Sequence, residues 1–429
     1  MDFVPTQSLI ECGRRRARAL APMPSAISCA PKGTNPHDSQ RLVPHFSFCH
    51  ICITMISFAK LTALVGLAAS LVAGQTCFQG ADEIGRTAPY ELSSNGSVPL
   101  RTVISRDAAS YLSLHFDSLN LPNGAVLTLS SPDGATSVKY TGGDRDNFYA
   151  EYIPGGSIVL SYTPPREDIA LLDGVDAFRI DGLAYGVPPR PTEAICGKDD
   201  TKAAVCVKSS LPTQYTKAQA VGRLLIGGTS LCTGWLFGSE GHLITNNHCI
   251  GTATAAKDVQ FEFGAECATC SDPNNTQQLA CRGTIVATSA TFIRTNKNLD
   301  YTLVKLNLKS GVSLAKYGFL KARASGPKLG EQIYIPQHPA GKPRRIGYLL
   351  DSGAQGTIES LNINSCVANE VGYMVDTEGG SSGSPVISPN DHAVIALHNC
   401  GGCLNGGVKI SDVVKDLKAA GKLPAQSTV

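Results

Sequence analysis

Between residues 77 and 190, apolar side chains recur at alternate positions or in runs of strand length. Leu112-Ser113-Leu114-His115-Phe116 alternates, and Ala125–Leu129 and Ser157–Tyr162 are short β-branched and leucine-rich stretches. Pro122-Asn123-Gly124, Pro132-Asp133-Gly134 and Pro154-Gly155-Gly156 punctuate them as tight turns. Short strands at this spacing predict a small β-sandwich. A second series of strand-length patterns begins after residue 191: Arg223–Ile226, Leu243–Thr245, Val259–Phe263, Tyr301–Leu306, Gln332–Ile335 and Val394–Leu397. Only at the end does the period change. Ser411-Asp412-Val413-Val414-Lys415-Asp416-Leu417 places an N-capping residue before apolar positions at helical spacing. The fold class is therefore all-β, with a double β-barrel and a C-terminal helix following the sandwich.

The Pro-rich stretch Val187-Pro188-Pro189-Arg190-Pro191 separates the two series. Such a segment is extended and hard to bury, so it marks a domain boundary and a site open to processing. The resulting division is 77–190 for an accessory or pro-domain and 191–429 for the second domain. Upstream, the stretch beginning at Met55 has the three parts of a secretory signal: Lys60, an apolar core from Leu61 to Val72, and the small-residue end Val72-Ala73-Gly74. Its core is too short for a membrane helix, and no other stretch approaches the roughly 20 apolar residues such a helix needs. Residues 55–74 are read as that signal, with the exported chain starting near Gln75. Residues 1–54 show no hydrophobic period and read as a doubtful or disordered leader.

Composition refines this picture. The formal net charge of +2 excludes a dedicated nucleic-acid binder, and the one basic cluster, Arg14 to Arg18, lies in the leader. The 43 glycines and 25 prolines suit a turn-rich β protein. Of the 15 cysteines, ten fall from Cys196 to Cys403. In an exported chain that density implies disulfides, although Cys267-Ala268-Thr269-Cys270 also permits a zinc reading. Asn95-Gly96-Ser97 and Asn274-Asn275-Thr276 are glycosylation sequons, placing Asn95 and Asn274 among the candidate sites. The chain is expected to be secreted, monomeric and free of the membrane once the signal is removed.

Three segments carry candidate chemistry: Thr245-Asn246-Asn247-His248-Cys249, Asn298-Leu299-Asp300-Tyr301, and Gly379-Gly380-Ser381-Ser382-Gly383-Ser384-Pro385. A hydroxyl is a poor nucleophile at neutral pH and needs an imidazole to accept its proton. The imidazole needs a carboxylate to fix its tautomer, and the nascent oxyanion needs backbone N–H donors. His248, Asp300 and Ser382 answer the first three demands, and Gly380 with Ser382 the last. Taken singly, each has a structural explanation: a turn, a packed histidine, a turn-forming Asp. The order His, Asp, Ser argues against an α/β-hydrolase, which runs Ser, Asp/Glu, His, and Ser384 stands where Gly-x-Ser-x-Gly requires glycine.

The segment from Cys232 to Cys249 resembles the strand–turn–His segment of trypsin-like serine proteases of the chymotrypsin class. Gly380-Ser381-Ser382-Gly383-Ser384-Pro385 resembles the bacterial form of the nucleophile loop, found in lysyl and glutamyl endopeptidases. The spacings of 52 residues from His248 to Asp300 and 82 onward to Ser382 suit the lysyl type. The resemblance covers about residues 194–420 and implies a chymotrypsin-like double barrel, a serine endopeptidase acting on proteins or peptides, and no cofactor or metal. It also implies a Cys232–Cys249 bridge closing the His248 loop. Cys206 is then expected to pair with Cys267 or Cys270, leaving the other for Cys281. Cys196, Cys366, Cys400 and Cys403 would form two more bridges, and Cys77 has no assigned partner. The domain at 77–190 is more weakly similar to the β-rich segment preceding the protease in some relatives.

In pancreatic-type zymogens an Asp just before the nucleophile receives a freed N-terminal amine. Ser381 occupies that position here, so activity is not expected to need such a pair. For specificity, Asp376 lies six residues before Ser382, where trypsin-like enzymes carry a pocket aspartate, which implies cleavage after Lys or Arg. Glu378 is a second source of negative charge. Thr377 and His398 are expected on the pocket wall, and His398 opens the opposite reading, a preference for acidic substrates as in glutamyl endopeptidases. The simplest structural alternative for Asp376 is a strand-end residue bonded to backbone N–H groups. Two other functions stay open: a catalytically inactive homologue acting as a secreted binding or inhibitory protein, and an esterase using the same triad.

Overall fold

The computed structural model describes residues 81–167, 169–187 and 195–429. The expected leader, signal segment, Cys77 and residues 188–191 of the Pro-rich connector lie outside the described residues.

The first strand series forms two antiparallel sheets. One joins Gly85–Asn95, Asp176–Gly186, Tyr111–Leu121 and Gly143–Tyr149; the other joins Leu100–Ser105, Ser157–Thr163, Val126–Ser130 and Ser137–Tyr140. Their inward positions supply one core that includes Leu112, Leu114, Phe116, Leu127, Leu129, Phe148, Leu160 and Phe178. The period-2 pattern of the sequence is the origin of that core, because alternate side chains face one side of a pleated strand.

The second series closes a six-stranded antiparallel barrel in the order Ser230–Leu236, Val221–Ile226, Val259–Phe263, Thr284–Asn296, Tyr301–Leu308, His242–Thr245, with the last strand returning to the first. A further sheet runs Ile358–Ile363, Glu370–Tyr373, Asn405–Lys409, Val394–Cys400, Pro385–Ile387, beside a small sheet of Lys202–Ala203, Arg345–Gly347 and Ile335–Gln337. A Tyr334–Ile387 bridge connects those last two sheets. This is the all-β, double-barrel architecture expected from the pattern.

The C-terminal helix spans Ile410–Ala419 and buries Ile410, Val413, Val414 and Leu417. The expected capping role is corrected. The helix begins one residue before Ser411, its N-cap position is Lys409, and no side chain caps it. The reason is continuity: the Asn405–Lys409 strand runs directly into the helix, leaving no turn for a capping side chain.

All ten cysteines from Cys196 onward are paired. The bridges are Cys196–Cys403, Cys206–Cys270, Cys232–Cys249, Cys267–Cys281 and Cys366–Cys400. The open choice at Cys206 resolves to Cys270. Because Cys267 and Cys270 belong to different bridges, that pair offers no two-thiolate zinc site. Among the described residues, no helix is long and apolar enough to cross a membrane.

The helix also fixes a turn in the first barrel. Arg294 donates to both carboxylate oxygens of Asp416 at 2.7 and 2.9 Å, and Asn296 and Tyr301 donate to the same group. Hydrogen bonding from Arg294 holds the Asp416 carboxyl down at about 2. A carboxyl depressed in the folded state stabilises fully above its unfolded value near 4, and that contribution is lost as pH falls towards 2. Asp416→Asn is expected to lower stability at pH 7 by about 1–2 kcal/mol, discounted for the partly exposed Arg294. The difference from the parent should shrink progressively in urea melts as pH is lowered from 4 to 2.

Candidate active site

His248 sits on the loop that leaves the His242–Thr245 strand, and Cys232–Cys249 ties that loop to the neighbouring strand. Asp300 ends the short turn between Thr284–Asn296 and Tyr301–Leu308 in a left-handed conformation, φ +40°. Asp tolerates that region better than most residues. The turn is built by Asn296, whose side-chain oxygen accepts the N–H groups of Asn298 and Leu299, while Asn246 donates to the Asp300 carbonyl at 2.9 Å.

Asp300 is 1% exposed. One carboxylate oxygen accepts the His248 backbone N–H at 3.0 Å, and the other lies 2.7 Å from His248 Nδ1. A buried carboxylate is costly unless it is paired and hydrogen-bonded, and this one meets both conditions. It requires the proton to be on Nδ1, which leaves Nε2 as the lone-pair nitrogen. Nε2 makes no hydrogen bond in the structure.

Ser382 is half-buried. Its carbonyl accepts the Thr233 N–H at 2.8 Å and lies 3.9 Å from Cys249 Sγ, so the nucleophile loop rests on the disulfide that also carries His248. Gly383 allows this approach. A methyl group built there would come within 2.1 Å of the Thr233 carbonyl, and its φ is +91°.

The Gly379–Gly380 peptide has a fixed orientation. Ala340 N–H donates to the Gly379 carbonyl at 2.6 Å, and Gly380 has φ +85°. In a trans peptide the N–H points opposite to its carbonyl. The Gly380 N–H therefore faces away from Ala340. Among the described residues, neither Gly380 N–H nor Ser382 N–H has a hydrogen-bond partner.

Sequence reasoning missed the residue that holds this loop. Ser381 is fully buried, and its hydroxyl donates to Gln337 Oε1 at 2.6 Å while accepting the Glu378 N–H. Gln337 in turn donates to the Asp376 carbonyl at 2.8 Å. Among the described residues, the loop is thus fastened by Gln337 of the small sheet.

The pocket residues are placed unevenly. Thr377 and His398 are both buried; Thr377 Oγ1 donates to Asn405, and His398 Nδ1 lies 2.7 Å from the Tyr373 hydroxyl. Burial, with His248 nearby, pushes His398 down to about 3, so it is neutral at physiological pH. Asp376 departs from the pocket-base expectation. It is 4% exposed, and its two oxygens accept the backbone N–H groups of Cys196 and Asp200 at 3.1 and 2.9 Å. Glu378 is occupied by Lys342, at 2.7 and 2.8 Å. Of the two sequon residues, Asn274 is exposed, whereas Asn95 is partly buried and donates to Asp173.

Residues 232–397, which include the closed barrel's His248 and Asp300 and the Ser382 loop, match the trypsin-like peptidase domain. The chain belongs to the same family as the secreted RxLR effector protein 73 of Plasmopara viticola, with which it is 38% identical over 340 residues, 76% of this chain and 83% of that protein. It is also 30% identical over 178 residues, 39% of its length, to 25% of the uncharacterized protein y4fB of Sinorhizobium fredii. Similar solved structures include the inactive form of the Rv3671c protease, 14% identical with a TM-score of 0.35 over 50% of this chain and 95% of that one. Deg5 is likewise 14% identical, with a TM-score of 0.36 over 50% of this chain and 96% of its own.

The bonding of Asp376 makes a specific prediction. Asp376→Asn should cost about 1–3 kcal/mol in denaturant melts, since two backbone donors lose a charged acceptor. The preference for the residue before the scissile bond, read with a fluorogenic series, should stay as in the parent.

Proposed function

We propose that this chain is a secreted serine endopeptidase that cleaves peptide bonds through an acyl-enzyme on Ser382. The observation that carries the reading is the buried Asp300 carboxylate bonded to His248 through both its backbone and Nδ1, with Nε2 left unbonded. His248 Nε2 takes the Ser382 proton as Oγ attacks the substrate carbonyl, then returns it to the departing amine. Water repeats the cycle on the acyl-enzyme. The N–H groups of Gly380 and Ser382 receive the oxyanion.

Support for export comes from the signal-like stretch at 55–74, from five disulfides, which suit an oxidising compartment, and from the relative named as a secreted effector. We assign residues 77–190 to an accessory or pro-domain, the enzyme to a monomer, and glycosylation to Asn274 ahead of the partly buried Asn95. For specificity, a lysyl-type or Lys/Arg-selective pocket would need a carboxylate free to meet a substrate cation. Asp376 and Glu378 are both engaged. The neutral Thr377 and His398 therefore favour uncharged polar or small residues before the scissile bond. The second reading, a secreted binding module without catalysis, draws on the effector name of the relative.

Ser382→Ala and His248→Ala should fold as the parent does and lose turnover by about four orders of magnitude, with Asp300→Asn close behind because it permits the wrong tautomer. Casein or peptide hydrolysis by purified proteins, with circular dichroism to check folding, provides the comparison. Parent-level hydrolysis by Ser382→Ala would remove the assignment; a folded parent that cleaves nothing would favour the binding module.

A further inference from the structure

The Ser230–Leu236 strand has a divided edge. Its far end, Trp235 and Leu236, pairs with His242–Thr245, but Ser230 and Leu231 pair with Asp82 and Glu83 from the segment that precedes the sandwich. The pairing is antiparallel, Asp82 opposite Leu231 and Glu83 opposite Ser230. In this register Asp82, the N-terminal member of the pair, lies on the side of Leu231 that leads to Cys232 and Thr233. Thr233 is bonded to the catalytic loop twice, by its N–H to the Ser382 carbonyl and by its hydroxyl to the Gly380 carbonyl, both at 2.8 Å.

Polarity gives this placement meaning. A peptide crossing Ser382 in this direction has the part beyond the scissile bond, the leaving-group side, on Ser230 and Leu231. Extended peptides bind such edges by strand addition. Ala81 packs against the core that holds Cys232 and Cys249, and Asp82 lies against the oxyanion loop: a methyl built on Gly379 would be 2.7 Å from Asp82 Cγ. Ile84 then anchors the segment. It is 2% exposed in a cluster with Leu225, Leu231, Leu279 and Ile285, and its N–H donates to the Thr229 carbonyl at 2.9 Å.

We propose that Ala81-Asp82-Glu83 fills the leaving-group subsites of this protease, making the chain's own N-terminal segment an intramolecular competitor of protein substrates. The inference rests on the peptidase reading above. A built-in weakness accompanies it. Burial, and with it the charge of Glu378, pushes the Asp82 pKa up to about 6. Holding a charge there opposes occupation, so the segment is displaceable.

The test uses the full chain and two substrates sharing one acyl half, one ending in aminomethylcoumarin and the other continuing for four residues past the scissile bond. Ile84→Ala loosens the anchor and should raise kcat/KM for the extended substrate by about tenfold while leaving the coumarin substrate within about twofold. Asp82→Asn removes the opposing charge and should lower the extended substrate's kcat/KM by about threefold or more. An activity-independent arm uses fluorescently labelled Ala-Asp-Glu-Ile-Gly, followed by anisotropy: it should bind Ile84→Ala and not the parent. An unchanged ratio of the two substrates in both variants, or equal peptide binding by parent and Ile84→Ala, overturns the proposal. If the folded parent turns over neither substrate, the peptidase reading fails, and the anisotropy result alone decides whether the strand fills that edge.

Discussion

The half of this molecule that carries His248 depends on the burial of one carboxylate. Asp300 is removed from water at a left-handed turn, and two groups of one residue, the backbone N–H and Nδ1 of His248, are among those that compensate it. A charge in that position tolerates little displacement of its partners, because each lost bond leaves desolvation unrelieved. The surrounding polar side chains serve that restraint. Asn246 holds the Asp300 carbonyl, Asn296 shapes the turn, and Asn247 reaches Thr295, which is bonded to Thr302. The C-terminal helix adds the outermost support through Asp416.

The Ser382 loop is held by a different device. Its peptide orientation is fixed by Ala340 on the Gly379 carbonyl, and its buried serine is held by Gln337. Gln337 and Ala340 hold the loop while the Gly380 and Ser382 N–H groups stay unbonded among the described residues. The competition proposed for the Asp82–Glu83 strand acts on the leaving-group side and leaves those N–H groups in place.

His248, Asp300 and Ser382 could be picked out as candidates in the sequence because each lies in a short segment whose residue types suit one chemical task. The strands were legible where alternation or turn residues marked them, as at Val259–Phe263 and Ser157–Thr163. What escaped reading depends on contacts between distant positions. Gln337 meets Ser381 across 44 residues, and Asp376 meets Cys196 across 180. Spacing put Asp376 in the place of a pocket aspartate, but only the fold shows that backbone donors take up its oxygens. The cysteine choice at Cys206 was likewise a matter of three-dimensional reach. Asp82–Glu83 is two acidic residues, too short for any period, and its strand exists because the Leu231 edge is there to receive it.

The central claim is that Ser382 is an activated nucleophile, and covalent labelling reads that property directly. The folded protein is treated with a fluorophosphonate, digested, and examined by mass spectrometry, beside a sample unfolded in guanidinium before treatment. The account predicts a single phosphonylated site at Ser382 in the folded sample and none in the unfolded one. A folded parent that remains unlabelled at Ser382 would contradict it.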